Sequence, residues 1–297
     1  MELHHNKHLK FFLKLLCLLT FILISLGGAV RAMNAGLACP DWPLCFGKVI
    51  PDFQIQVYYE FIHRVLAGIV AILTFGLCIF LFKINAPRNV KHTSLFGIGI
   101  LLAQIVLGGL TVLKLLHFSV VTAHLMFGLA FLCSLLWMYF QLFDESNKLS
   151  DPTPKSFHGV LMIVMSMLII QIFIGGLVST NYAGLVCEGF PLCNGELIPS
   201  LSGLVGLQVK HRLWGYVTAL AIFSFVNVIW KNKNQKWMSP QIPKYGLWLG
   251  IMIIVQIGVG AMNVLFKIPP IITIIHLAIA AALLGIMLKI LYKGLKN

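Results

Sequence analysis

Of the 297 residues, 59% are hydrophobic and only 10% are charged, with a mean hydropathy of +0.92. A soluble domain carries about 25% charged residues, so this composition excludes one and indicates an integral membrane protein. The formal net charge of +13 is not a nucleic-acid footprint, because Lys and Arg of a membrane protein collect in its cytoplasmic loops, and no nucleic-acid partner is expected.

Eight apolar runs reach the roughly 20 residues that a membrane span needs. They lie at 11–30, 58–82, 94–115, 118–142, 157–178, 206–230, 244–265 and 270–292. The first starts beside Lys7, Lys10 and Lys14, as a signal peptide would. Its apolar core exceeds the roughly 7–15 residues of such a segment, so it is expected to be a span. A tight link near His117 separates the third and fourth runs. Pro269 and Pro270 separate the seventh and eighth, and are expected to stop a helix there.

Ala35 to Arg64 returns as Ala183 to Arg212, without a gap, at an offset of 148. Cys39 falls on Cys187, Cys45 on Cys193, Pro51 on Pro199, His63 on His211 and Arg64 on Arg212. Gly27-Gly28 falls on Gly175-Gly176 in the same frame. A later match sets LLAQIVLGGLTV over IIVQIGVGAMNV and His124 over His276, at an offset of 152. Rare residue types in register indicate internal duplication. The expected fold is an all-α integral membrane protein whose eight transmembrane helices form two parallel four-helix repeats, 1–146 and 147–297. An even helix count keeps the two copies in one orientation, related by an axis along the membrane normal. One mismatch stands out: Glu60 falls on Gln208. Gln104, Gln171 and Gln256 each precede a glycine by four residues, which suggests close helix packing.

With the N-terminus inside, cytoplasmic segments hold fifteen Lys and Arg and outer loops hold four. Counting Arg64, Lys210 and Arg212 as outside makes it fifteen against seven, and the bias stands. Both termini are expected to be cytoplasmic and both cysteine loops outside, with membrane lipid as the partner of the spans. Cys17, Cys78 and Cys133 lie in apolar runs and read as small buried hydrophobes. Each outer loop holds two cysteines separated by five residues, and an exported location favours the disulfides Cys39–Cys45 and Cys187–Cys193. The second pair reads as a loop staple. For the first, a staple and a redox pair are equally open.

Four of the ten histidines lie inside predicted spans: His63, His124, His211 and His276. Each falls five to seven residues from the outer end of its run, about 8–10 Å deep. All four belong to even-numbered spans, which run the same way, so they can meet at one level. Polar groups at such depth are costly and usually functional. Two helices that each present a histidine can hold a planar macrocycle between them and ligate its iron from both faces, giving one pair of ligands per repeat: His63 with His124, and His211 with His276. Zinc fits less well, since its sites gather more ligands in one place. Glu60 is the acidic residue inside a span, one helical turn from His63, and reads as a proton-handling group, against a structural pairing with Arg64. Arg64 and Arg212 are candidate partners for carboxylates of the macrocycle.

These residues together resemble the haem A synthase family, of the bacterial type with two cysteine pairs. GLACPDWPLC and GLVCEGFPLC, EFIHR and VKHR, and His124 and His276 carry the resemblance over nearly the whole chain. It implies oxidation of the C8 methyl of haem O to a formyl group, giving haem A for terminal oxidases. It implies a resident haem B held by His211 and His276 in the C-terminal half. It places the substrate haem between His63 and His124, with Glu60, Cys39 and Cys45 as the candidate catalytic residues. Haem O synthase is the expected substrate donor, and the electron donor is not identified. A dihaem b-type cytochrome that only passes electrons is the alternative, but it has no need of the Glu60/Gln208 difference. A transporter would need broken helices at the midplane, whereas these polar residues cluster near the outer side.

Overall fold

The computed structural model describes residues 5–144, 151–196 and 199–295. Among them, eight helices are long and apolar enough to cross a membrane: α1 (Lys7–Ala32), α2 (Ile55–Lys83), α3 (Arg88–Leu113), α4 (Phe118–Phe143), α5 (Lys155–Thr180), α6 (Gly203–Lys231), α7 (Ile242–Leu265) and α8 (Pro270–Leu295). Most extend past their apolar runs, because backbone hydrogen bonding continues into polar flanks. Asn6 caps α1, its Oδ1 accepting from Leu9 N at 2.9 Å, as short polar side chains do for orphan N–H groups.

The two tight links share one construction. Leu115 and Leu116 follow α3 with positive φ, and Lys267 and Ile268 follow α7 in the same way. Leu116 N donates to Thr111 O at 2.8 Å and Ile268 N to Asn263 O at 2.6 Å, so each turn satisfies a carbonyl at the end of its helix. The stop of α7 is therefore this left-handed turn and not the proline pair. Pro270 instead opens α8, where a missing N–H costs nothing.

The chain divides into two compact units, Met1–Asp144 and Glu145–Asn297. In the first, α1 packs on α2, α2 on α3, α3 on α4 and α4 on α1. That closed circuit leaves α2 and α4 diagonally opposed. In the second, α5, α6, α7 and α8 close the same circuit, with α6 and α8 diagonal. The end of each bundle far from its cysteine loop is packed dry. Leu13, Leu16, Leu81 and Leu135 fill the first unit there, and Ile222, Phe225, Leu249 and Leu283 the second. In lipid such packing holds helices through van der Waals contact. Nearer the loops the filling stops. No residue of α2 between Glu60 and Val70 is fully buried, nor of α4 between Thr122 and Gly128. The same holds on α6 between Val209 and Thr218, and on α8 before Ala280.

Candidate active site

The four intramembrane histidines lie in those less filled stretches. His124 and His276 are six residues beyond the starts of α4 and α8, about 9 Å along the axis. His63 and His211 are eight residues into α2 and α6, about 12 Å. This is deeper than the apolar runs suggested, because both helices begin three residues before their runs do. His63 and His124 fall within electrostatic reach of each other, as do His211 and His276. Each pair therefore spans a diagonal of its own bundle. Among the described residues, no three of His, Cys, Asp and Glu converge as a metal ion would need. The histidines come in twos.

Each ring is seated on a glycine of the preceding helix. A Cβ added at Gly27 would lie 3.1 Å from His63 Cε1, at Gly108 3.4 Å from His124 Cε1, at Gly175 2.9 Å from His211 Cε1, and at Gly260 3.0 Å from His276 Cε1. At Gly27, Gly175 and Gly260 the absence of a side chain lets the imidazole edge approach the helix backbone this closely, whereas at Gly108 the distance is an ordinary contact. The rings are half-buried, and Nδ1 of His63, His124 and His276 is fully buried without a hydrogen-bond partner. With Nδ1 turned inward and the ring half accessible, the arrangement at His63 and His124 suits ligation through Nε2.

The polar neighbours of the rings are where sequence reading fell short. Gln171 Nε2 lies 3.2 Å from His211 Nδ1 and donates to His211 O at 3.1 Å. Gln256 Nε2 lies 3.5 Å from His276 Nε2. In the sequence, the glutamine-to-glycine spacing points to packing alone. It also marks glutamines one turn from a histidine seat.

Glu60 is 4% exposed and both its oxygens are engaged. Oε1 pairs with Arg64 Nη2 at 2.5 Å, and Oε2 accepts from Cys39 N at 2.9 Å. The pairing with Arg64 that the sequence left open is thus present. Arg64 also donates to Asp41 O, Leu44 O and Cys39 O, at 2.7, 2.6 and 3.1 Å. The acid beside His63 is therefore bolted to the first cysteine loop: three Nη bonds of Arg64 go to loop carbonyls and the fourth to Glu60. Asp41 closes the loop's far turn, accepting from Phe46 N at 2.6 Å and Gly47 N at 2.7 Å. Those N–H groups, Gly47 first, hold the Asp41 carboxyl below its usual 3.8. Trp42 lays its indole over Gly109 of α3, next to the seat of His124.

The second loop has the same outline and fewer bonds. Arg212 donates to Cys187 O at 2.9 Å and Leu192 O at 3.0 Å, while its Nε is buried without a partner. Gln208 donates to Gly184 O at 3.3 Å, and its Oε1 has no partner. Asn194 performs the turn-closing task, accepting from Glu188 N at 2.8 Å. Both loops carry a cis X–Pro bond, Trp42–Pro43 and Phe190–Pro191. Both cysteine pairs are closed as disulfides, Cys39–Cys45 and Cys187–Cys193. All four cysteines are buried, the first pair against Val57 and the second against Val209.

The chain is 27% identical over 325 residues to the heme A synthase of Shewanella oneidensis, with 96% of each chain covered. It is 29% identical over 267 residues to the heme A synthase of Halalkalibacterium halodurans, with 88% of each covered. With the heme A synthase of Shouchella clausii it shares 30% identity over 220 residues, 70% of this chain and 71% of that one. The family model described as COX15-CtaA, cytochrome oxidase assembly protein, matches residues 10–56 and 51–288. The chain is a multi-pass membrane protein and belongs to the COX15-CtaA family of cytochrome oxidase assembly proteins.

Proposed function

We propose that this protein is a haem A synthase that oxidises the C8 methyl of haem O to a formyl group, with the reaction in the N-terminal half. The observation that carries the placement is the buried carboxyl of Glu60, one turn from His63, where the other half has Gln208. Each hydroxylation of a methyl group by oxygen consumes two electrons and two protons, and a second hydroxylation followed by loss of water leaves the aldehyde. A positioned carboxyl can relay those protons, and an amide cannot.

The residues suit two haems. His63 and His124 would hold the substrate haem O, and His211 and His276 a resident haem B. Bound there, haem B would supply one-electron transfer toward the reacting half. The glycine seats fix the plane of each ring. Arg64 and Arg212 act on haem carboxylates through charge, since their Nη groups are bonded to loop carbonyls. The Cys39 N–H on Glu60 Oε2 ties the first disulfide to the acid, so Cys39 and Cys45 serve the reaction by holding Glu60 in place. We read the two units as copies of one four-helix module in the cell membrane, termini cytoplasmic and cysteine loops outside. Haem O would arrive from a haem O synthase, and electrons from a donor not yet identified.

The test is Glu60→Gln, expressed with a source of haem O, with extracted haems separated by chromatography. Gln keeps an oxygen for Cys39 N–H and gives up the ion pair with Arg64, so the lost rate reports on the charged carboxyl. Conversion should fall about 10²–10⁴-fold, with haem O accumulating. A normal yield of haem A from this variant overturns the assignment. Gln208→Glu should not make the C-terminal half reactive.

A further inference from the structure

Between Cys45 and the start of α2, the first cysteine loop turns large apolar side chains outward. Val49 is 77% exposed, Ile50 69% and Phe53 77%. Contiguous apolar surface of this kind marks a contact with lipid or with another protein. The segment is held against the helix that follows it. The Phe53 ring meets the Tyr58 ring at 4.9 Å, and Tyr58 meets Phe61 at 5.6 Å, both edge to face. Tyr58 Oη donates weakly to Pro51 O at 3.5 Å. Tyr58 lies three residues into α2, so the segment folds back to the level of the first helical turn, about 4.5 Å along the axis.

Charge and backbone suit that level too. Lys48 and Asp52 are the charged residues between Cys45 and Ile55, and they pair at 2.7 Å. The segment therefore meets a medium of low dielectric as a neutral unit. Its irregular backbone is barred from the hydrocarbon core, where no water satisfies polar groups, but it can lie among lipid headgroups. Aromatic rings collect at that depth. From Tyr58 the apolar surface continues along α2 through Ile62, Val65 and Ile69, all exposed and spaced to share one side of the helix. The second loop carries neither the rings nor the pair. Leu201, Gly206 and Val209 stand where the three rings are, and Glu196 and Ser200 where the ion pair is.

We propose that residues 49–53 form a flap that beds among the lipid headgroups on the cysteine-loop side of the membrane, so that its partner is the lipid surface. The flap joins Cys45 to α2, and the same loop supplies the Cys39 N–H and the carbonyls that hold Glu60 and Arg64. Bedding the flap fixes the height of that bracing in the bilayer. A protein partner is the other occupant of such a patch. The paired charges, and a ring ladder level with the first turn of a spanning helix, favour lipid. The inference stands apart from the two-haem reading.

The experiment places a nitroxide on the full-length protein in nanodiscs of phosphatidylcholine and phosphatidylglycerol. Cys17, Cys78 and Cys133 are first replaced by alanine, and labelling is done without reductant so that both loop disulfides stay closed. Val49→Cys and Ile50→Cys carry the label in turn. Collisions with oxygen, which prefers lipid, are compared with collisions with a nickel chelate, which prefers water. Lipids labelled at the headgroup and along the acyl chain calibrate depth. Both sites should read at or just below the headgroup, with the oxygen-to-nickel ratio several-fold above that of a label free in water. A ratio like that of the free label at either site puts the flap in water and overturns the proposal. Low collision rates with both reagents mean cover by protein and overturn it as well. In a Tyr58→Ala background the label at Val49→Cys should shift toward water, and an unchanged depth there would overturn the part assigned to the ring ladder.

Discussion

Arg64 and Arg212 stand at the same register in the two halves and carry different loads. Arg64 binds three loop carbonyls and a buried carboxylate, whereas Arg212 binds two carbonyls and leaves its Nε unpaired. One frame thus supports a tightly braced loop and a lightly braced one. The extra bonds all lead to or through Glu60 and the Asp41 segment, the places where the two sequences diverge. The bracing follows the ionisable group.

The sharpest way to break this comparison is to remove each arginine. Arg64→Ala strands the Glu60 carboxylate, whose side chain is only 6% exposed. Stranding a buried charge costs about 3–5 kcal/mol, so this variant should lose about that much more stability than Arg212→Ala, in chemical denaturation of the detergent-solubilised protein. Adding Glu60→Gln to Arg64→Ala should return most of the excess. Equal losses from the two arginine variants would show that the carboxylate contributes nothing to the bracing.

The glycine seats compare the halves on a smaller scale. Gly175→Ala puts a methyl carbon 2.9 Å from His211 Cε1, and overpacking of this kind costs about 1–3 kcal/mol. Haem affinity in the C-terminal half should fall about 5- to 150-fold, read by titration of haem into the purified protein. Gly108→Ala meets His124 Cε1 at 3.4 Å, an ordinary contact, and should bind nearly as the parent does. Similar losses from both would mean that the seats do not set ring position.

Much of this was legible beforehand, because the signals were periodic or rare. Long apolar runs locate helices, and His63, Cys39 and Arg64 repeat at a fixed offset. The resemblance to a known family rested on those residues. What escaped were features that need three dimensions. The stop of α7 lies in two left-handed residues, Lys267 and Ile268, of types with no preference for that conformation, so the visible prolines drew attention instead. The Cys39 N–H that meets Glu60 Oε2 is a backbone group and leaves no mark in a sequence. In the sequence the amide of Gln171 points only to packing, because its histidine partner is 40 residues away.

The smallest expected effect separates the loops by pH. Asp41 closes the first loop as a carboxylate, and Asn194 closes the second as a neutral amide. A carboxyl with a depressed folded pKa stabilises its loop above the ordinary value of 3.8 and loses that contribution as pH falls through the lower, folded value. Amide exchange at Phe46 and Gly47, corrected for its intrinsic pH dependence, should therefore quicken below about pH 4. Exchange at Glu188 should not. Asp41→Asn should abolish the difference, and persistence of acid loosening in that variant would point to another group.

Every seat pairs a histidine with a glycine on the helix just before it: α1 with α2, α3 with α4, α5 with α6, α7 with α8. Those same neighbours make the most extensive helix contacts in the molecule. A nascent chain that enters the bilayer one hairpin at a time can therefore orient each ligand as soon as its hairpin closes. Neither ligand of a pair waits on the other for its orientation. On the two-haem reading proposed above, a haem would then meet two finished half-sites, and by bridging them it would fasten one hairpin to the next during biogenesis.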